Sequence, residues 1–142
     1  FSHCLRHPAR QDAVSSQMIW VDRMGELAKL YQICDLAFVG GSLVPEGGHN
    51  PLEPAACAKP VLVGPDMSDF KEITDLLVVG GGTIQVPGGI ELATELDTLL
   101  GDTDRLSRMG KKNLKVFSSH AGAVDRVVSQ IEHLVGEDKN RD

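Results

Sequence analysis

Val39-Gly40-Gly41-Ser42-Leu43-Val44-Pro45-Glu46-Gly47-Gly48-His49-Asn50-Pro51-Leu52-Glu53-Pro54 starts on the last residue of the apolar run Leu36-Ala37-Phe38-Val39. The apolar run predicts a buried strand. The next stretch sets four glycines and several polar residues in a loop, and it ends on a strong helix start. A loop at the carboxyl end of a strand, feeding a helix N-terminus, is where open α/β sheets bind anionic ligands. The stretch therefore points to a nucleotide or sugar-phosphate site.

Outward from this loop, short apolar runs alternate with helical patterns. Met18–Val21 reads as a strand, and residues 24–34 as a helix with Leu27, Leu30, Tyr31 and Cys34 at helical spacing. Pro51–Cys57 is expected to be a short helix, Pro60–Val63 a strand, Ser68–Leu77 a helix, Thr83–Val86 a strand and residues 90–100 a helix. Phe1–Arg6 reads as a further strand, followed by a loop at His7–Arg10. Strands and helices alternating at this pace indicate βαβ units and a parallel sheet. The strands are nearly continuous apolar runs, as expected when both faces are covered.

The tail has another pattern. Thr103–Phe117 and Ala123–Val135 are predicted as two helices joined by Ser118-Ser119-His120-Ala121-Gly122. Residues 1–135 are expected to form one domain, with 136–142 a disordered polar tail. The fold class is α/β: a Rossmann-like parallel sheet with flanking helices, closed by two C-terminal helices.

Composition narrows the function classes. The chain has 142 residues, 42% hydrophobic and 24% charged, enough for a real core. Net charge is −6, from 14 Lys and Arg against 20 Asp and Glu, which argues against general nucleic-acid binding. A small anion held by one or two local cations remains compatible. No run of about 18 apolar residues predicts a membrane span. Cys4, Cys34 and Cys57 are odd in number and widely spaced. They suit a reducing compartment and show no zinc-type pairing. The first residue is Phe1 and not Met, so the sequence is expected to be a piece of a longer protein.

Several groups of residues are candidates for chemistry. Asn50-Pro51-Leu52-Glu53 has the form of a helix start: a favoured N-cap, proline at the first helical position and a glutamate that completes a capping box. The same geometry suits a nucleotide, with backbone N–H groups for phosphate and Glu53 for ribose hydroxyls. The spacing alone leaves both open. Gly40-Gly41-Ser42 and Gly47-Gly48-His49 either bring the backbone close to a ligand or form a turn-rich loop. No P-loop signature is present. Met24-Gly25-Glu26 opens the helix after the Met18–Val21 strand, with Asp22 as candidate N-cap. A glycine there costs a helix roughly 1 kcal/mol, which suggests close approach of a ligand. Arg6 follows a strand and is either a phosphate or carboxylate partner or a solvated side chain.

Taken together, Arg6-His7-Pro8, Met24-Gly25-Glu26-Leu27 and the run from Gly40-Gly41-Ser42 to Gly47-Gly48-His49-Asn50-Pro51-Leu52-Glu53-Pro54 resemble one family. It is the bacterial 3-deoxy-D-manno-octulosonic acid (Kdo) transferases, and the match is to their C-terminal domain. Order and spacing agree from about Leu5 to Pro65, and the tail is compatible to about Val135. The resemblance implies the donor-binding half of a two-domain GT-B glycosyltransferase of lipopolysaccharide biosynthesis. Its donor would be CMP-Kdo and its acceptor a lipid A precursor held by an N-terminal domain that also carries the catalytic base.

By the same resemblance, Leu5 and Arg6 match the first CMP-contacting pair, with Leu5 where the family carries proline. Met24, Gly25 and Glu26 match the second contact segment. Asn50, Pro51, Leu52 and Glu53 match the third, with Gly41, Ser42, Gly48 and His49 as candidate loop contacts. No catalytic residue, cofactor or metal is expected in this chain. The full-length protein would work at the cytoplasmic face of the inner membrane, in contact with the membrane surface, whereas this fragment would be soluble. Two alternatives stand beside this reading: a related GT-B protein using a UDP-sugar, either transferase or epimerase, and a nucleotide-binding module without turnover.

Overall fold

The computed structural model describes residues 3–5, 18–21 and 25–138. The chain divides into two units, Phe1–Ile33 and Cys34–Asp142. In the first, β1 (His3–Leu5) pairs in parallel with β2 (Met18–Trp20), with Leu5 opposite Trp20, and α1 spans Leu27–Ile33. The loop predicted at His7–Arg10 lies outside the described residues.

The predicted helix over 24–34 begins later than its periodicity suggests. Gly25 has φ +82°, a left-handed conformation that cannot belong to a right-handed helix. The Glu26 carbonyl accepts the first helical bonds, from the N–H groups of Lys29 and Leu30 at 3.1 and 3.2 Å. Met24 and Asp22 are outside the described residues.

The second unit is built on a three-stranded parallel sheet in the order β3 (Ala37–Val39), β4 (Val61–Val63), β5 (Thr83–Gln85). Each predicted strand appears, shortened by one residue at one end. Strand β4 is central and fully buried. Its side chains alternate between two faces. Val61 and Val63 join Val39, Met67 and Phe70 on one face. Leu62 points the other way, into Leu99, Leu106 and Met109 with Leu36, Ile84, Leu92 and Leu96 around them. Full burial of one such leucine contributes about 1.5–3 kcal/mol. Coverage on both faces is complete only in β4; Phe38 in β3 and Gln85 in β5 are exposed.

Helices connect the strands as expected of βαβ units. Helix α2 is Leu52–Ala56, and α3 is Lys71–Val79, preceded by a 3₁₀ turn at Ser68–Phe70. Helix α4 is Gly89–Leu100. The two predicted C-terminal helices are instead one, α5, over Thr103–Asp138. The polar Ser118–Gly122 stretch continues the helix because it contains no proline. Its side chains also bond back inside the helix: Ser119 Oγ donates to the Val116 carbonyl at 2.8 Å, and His120 Nδ1 lies 2.9 Å from the same oxygen. Helix α5 runs three residues into the stretch read as a polar tail.

Asn113 fixes α5 to the amino end of the sheet. It is fully buried, and its Nδ2 donates to the carbonyls of Lys59 (2.9 Å) and Gly82 (2.8 Å). Its Oδ1 accepts the Thr83 hydroxyl at 3.1 Å. One side chain thus satisfies polar groups at the starts of both β4 and β5, as burial there requires.

Candidate functional site

The carboxyl end of β3 opens into the glycine loop, and the carboxyl end of β4 into Gly64–Met67. Hydrogen bonds join the glycine loop to this loop and to the 3₁₀ turn that follows it. Ser42 Oγ accepts the Gly64 N–H at 2.8 Å, and the Ser42 carbonyl accepts the Asp66 N–H at 3.0 Å. Further along, Asp66 Oδ2 accepts the Gly47 N–H at 2.8 Å, and the Gly47 carbonyl accepts the Asp69 N–H at 3.1 Å. From the other side, Gln85 at the end of β5 donates to the carbonyls of Gly64 (3.1 Å) and Pro65 (3.2 Å). The β4 loop is therefore held by both neighbouring strands and serves as a template for the glycine loop.

Gly47 and Gly48 make the turn. Both have positive φ, +79° and +73°, which other residues rarely adopt. Space is short as well: a Cβ on Gly48 would fall 2.4 Å from Met67 Sδ, and one on Gly47 2.5 Å from the Asp69 carboxyl carbon. The turn also bonds across its own loop, where the Gly48 N–H donates to the Gly41 carbonyl at 3.2 Å.

His49 Nδ1 sits 2.8 Å from the Gly40 carbonyl. A carbonyl accepts only, so Nδ1 carries the proton. In the neutral ring, Nε2 is then an acceptor on an exposed side chain. Ser42, one of the candidate loop contacts, lies on the inner side of the loop. Its side chain is fully buried, and its hydroxyl donates to the Val39 carbonyl at 2.5 Å while accepting from Gly64. The Ser42 hydroxyl shapes the loop from inside.

Asn50-Pro51-Leu52-Glu53 follows at once. Asn50 Oδ1 accepts the Leu52 N–H at 3.0 Å, so Asn50 closes the first turn of α2 as a capping residue does. The reciprocal half of the predicted capping box is missing. Glu53 is exposed, and among the described residues its carboxylate has no hydrogen bond or ion pair. Pro51 is buried and Leu52 half-buried, so the two hold the turn against the fold.

Asp66, which its sequence context did not single out, is central. Besides Gly47 it accepts the Ser68 N–H through Oδ1 at 3.2 Å. Bonding to the Gly47 N–H first, then to the Ser68 hydroxyl and N–H, holds its carboxyl below the usual aspartate range. A cleft of about 280 Å³ opens beside it, lined also by Ser68, Lys71, Asp75 and Gln85.

The structure thus brings together Gly41, Gly48, His49 and Asn50–Glu53 on one loop and helix start. Leu5, Gly25 and Glu26 belong to the first unit: Leu5 ends β1, Gly25 forms a turn, and Glu26 caps α1. Arg6 and Met24 lie outside the described residues. Cys34 and Cys57 form no disulfide. Burial pushes the Cys34 thiol up, which makes it a poor nucleophile. Among the described residues no group of three His, Cys, Asp or Glu side chains is placed to hold a metal ion, and no helix is long and apolar enough to cross a membrane.

No protein-family model matches the chain. Individual proteins do. The 3-deoxy-D-manno-octulosonic acid transferase of Haemophilus influenzae is 39% identical over 119 residues, which is 83% of this chain and 28% of that protein. The protein of the same name from Bordetella pertussis is 32% identical over 118 residues, 81% of this chain and 27% of its own length. That of Aquifex aeolicus is 38% identical over 87 residues, 61% of this chain and 25% of its own length. The chain spans about a quarter of the length of these curated relatives. Among solved structures, the C-terminal CMP-Kdo binding domain of WaaA from Acinetobacter baumannii aligns with a TM-score of 0.73 and 29% identity. The alignment covers 80% of this chain and 60% of that one.

Proposed function

We propose that this chain, a homologue of the Kdo transferases over four-fifths of its length, is the donor-binding domain of such an enzyme. The protein carrying it would move Kdo from CMP-Kdo to a lipid A precursor. The observation that carries the reading is Glu53. Asn50 alone caps α2, which leaves the Glu53 carboxylate exposed and without a partner one turn from the glycine loop. A carboxylate so placed suits vicinal ribose hydroxyls. The likeness to a CMP-Kdo binding domain supports the nucleotide's identity.

In the proposed reaction, an acceptor hydroxyl gives its proton to a base on a part of the protein outside this chain. Its oxygen bonds to the anomeric carbon of Kdo while the bond from that carbon to the phosphate oxygen breaks, and CMP leaves with the electron pair. The chain's share is to bind the cytidylate and to stabilise the leaving phosphate with fixed dipoles and Arg6. Glycine-loop N–H groups already engaged, such as those of Gly47 and Gly48, shape the loop and do not contact phosphate. We propose a reaction that needs no metal ion, with Arg6 and unengaged backbone N–H groups as the expected partners of the leaving phosphate. Work at the inner membrane surface follows from the lipid acceptor.

Titration calorimetry of the full-length protein with CMP, CMP-Kdo and UDP tests this. The expectation is clear preference for the cytidine nucleotides; preference for UDP would overturn the reading. Glu53→Ala is expected to weaken CMP binding about tenfold, the scale of one charge-assisted hydrogen bond, with the melting temperature unchanged. A drop in melting temperature with CMP binding intact would make Glu53 a helix residue only.

A further inference from the structure

We propose that Asp66 is a positioning residue for the donor: its carboxylate, bridging the β3 and β4 loops, holds the Gly47-Gly48-His49 turn in the shape that presents Asn50–Glu53. This rests on the donor-binding reading above. Two consecutive glycines give the turn more backbone freedom than any other pair would, and ordering it costs correspondingly more. The turn needs an external hold, and Asp66 supplies it from 19 positions away in sequence. One carboxylate oxygen takes the Gly47 N–H at 2.8 Å and the other takes the Ser68 N–H at 3.2 Å. Asp66 thereby ties the glycine turn to the start of the 3₁₀ turn before α3. The Asp69 N–H completes the hold on the Gly47 carbonyl, and Met67 fills the space against Gly48.

The residue type follows from this geometry. A carboxylate can accept on both oxygens, whereas asparagine has one oxygen and an NH₂ that would face an N–H. Both Asp66 oxygens bond inside the protein, which suits a residue that holds the turn. Its sign argues the same way. A free carboxylate near an anion site weakens anion binding, so removing a carboxylate that did nothing else would strengthen it.

The test compares Asp66→Ala, Asp66→Asn and Asp69→Asn in the full-length protein, reading CMP affinity by calorimetry, KM and kcat for CMP-Kdo, and melting temperature. Asp69→Asn makes the same charge change nearby while keeping the backbone N–H that bonds Gly47. Asp66→Ala is expected to weaken CMP binding and raise the donor KM about tenfold, with kcat at saturating donor within about twofold. Asp66→Asn is expected to recover part of the affinity, and Asp69→Asn to leave it unchanged or slightly tighter. Unchanged or improved CMP affinity in Asp66→Ala would overturn the proposal, as would equal losses in Asp69→Asn. A lowered melting temperature with normal affinity in the folded protein would reduce Asp66 to a stability role and overturn it too. Absence of CMP binding by the wild-type protein would instead remove the donor reading, and this proposal with it; CMP binding that Asp66→Ala leaves intact removes the proposal alone.

Discussion

At each end of the β3–β4–β5 sheet a polar side chain ties together segments remote in sequence, Asn113 at one and Asp66 at the other, and the two do opposite work. At the amino end, Asn113 is fully buried, all its bonds go to backbone or to Thr83, and the apolar contacts of Leu99, Leu106 and Met109 lie beside it. At the carboxyl end, Asp66 is half-exposed and holds a glycine turn next to side chains that stay open, His49 and Glu53. Burial makes the first bond set expensive to break, because water cannot replace a lost partner. Exposure makes the second set weaker in stability but decisive for shape. The amino end therefore fixes the fold, and the carboxyl end fixes a loop upon it.

The sharpest way to break this contrast is at Asn113. Asn113→Leu leaves the Lys59 carbonyl without this donor and the Thr83 hydroxyl without its acceptor, while the Gly82 carbonyl keeps only the Val61 N–H. At about 1–3 kcal/mol for each buried unsatisfied group, the loss is expected to reach roughly 3 kcal/mol or more. Urea unfolding measures it. A loss under about 1 kcal/mol would mean that the amino end is held by apolar packing alone, and the contrast between the two ends would collapse.

Next in size is Gly48→Ala, at the other end. The left-handed backbone and the approach of Met67 Sδ both oppose a Cβ there. A cost of about 1–3 kcal/mol is expected, together with a loss of CMP affinity, since the turn must move to admit the methyl group. Stability lost without any change in CMP binding would show that the turn and the nucleotide site are independent.

Asn50→Ala comes after that. Loss of the cap is expected to cost about 1 kcal/mol, visible as a lower melting temperature. It should differ in kind from Glu53→Ala, which leaves melting unchanged. Equal melting losses from the two would restore the reciprocal capping box that the geometry lacks, and would make the helix start a purely structural motif.

These residues also differ in how plainly the sequence announces them. The strands were legible because Ala37–Val39, Val61–Val63 and Thr83–Gln85 sit in short apolar runs set off by glycine and proline. Asn50 was legible because asparagine before proline at a helix start has a local cause. Asp66 was not, since Gly-Pro-Asp after a strand reads as an ordinary turn and its partner Gly47 is remote in sequence. Asn113 had a faint signal: it shares a helical stripe with Leu106, Met109 and Val116, where a polar residue is out of place. The break expected at Ser118–Gly122 failed for a related reason. Serine and histidine look like linker residues when counted, but in α5 they bond back to the Val116 carbonyl and extend the helix.

The smallest expected effect lies in acid, and it bears on what Asp66 contributes to stability as opposed to shape. Its carboxyl is held below its ordinary value of 3.8 by the Gly47 and Ser68 donors. A depressed value in the folded state means that the ionised form stabilises the fold. That contribution is complete above the unfolded value, so nothing changes between neutral pH and about 5. It is lost as pH falls further, through the still lower folded value, when the proton takes the place of the Gly47 N–H. Asp66→Asn has no such proton to gain. Stability of wild type and variant should therefore differ slightly at neutral pH and converge below about pH 4, the common fall from other carboxylates being shared by both. Because Asp66 is half-exposed, the gap should be small compared with that of Asn113→Leu. A gap that persists into strong acid would assign the difference to lost packing and not to the carboxylate's bonds, and Asp66 would then resemble Asn113 more than it contrasts with it.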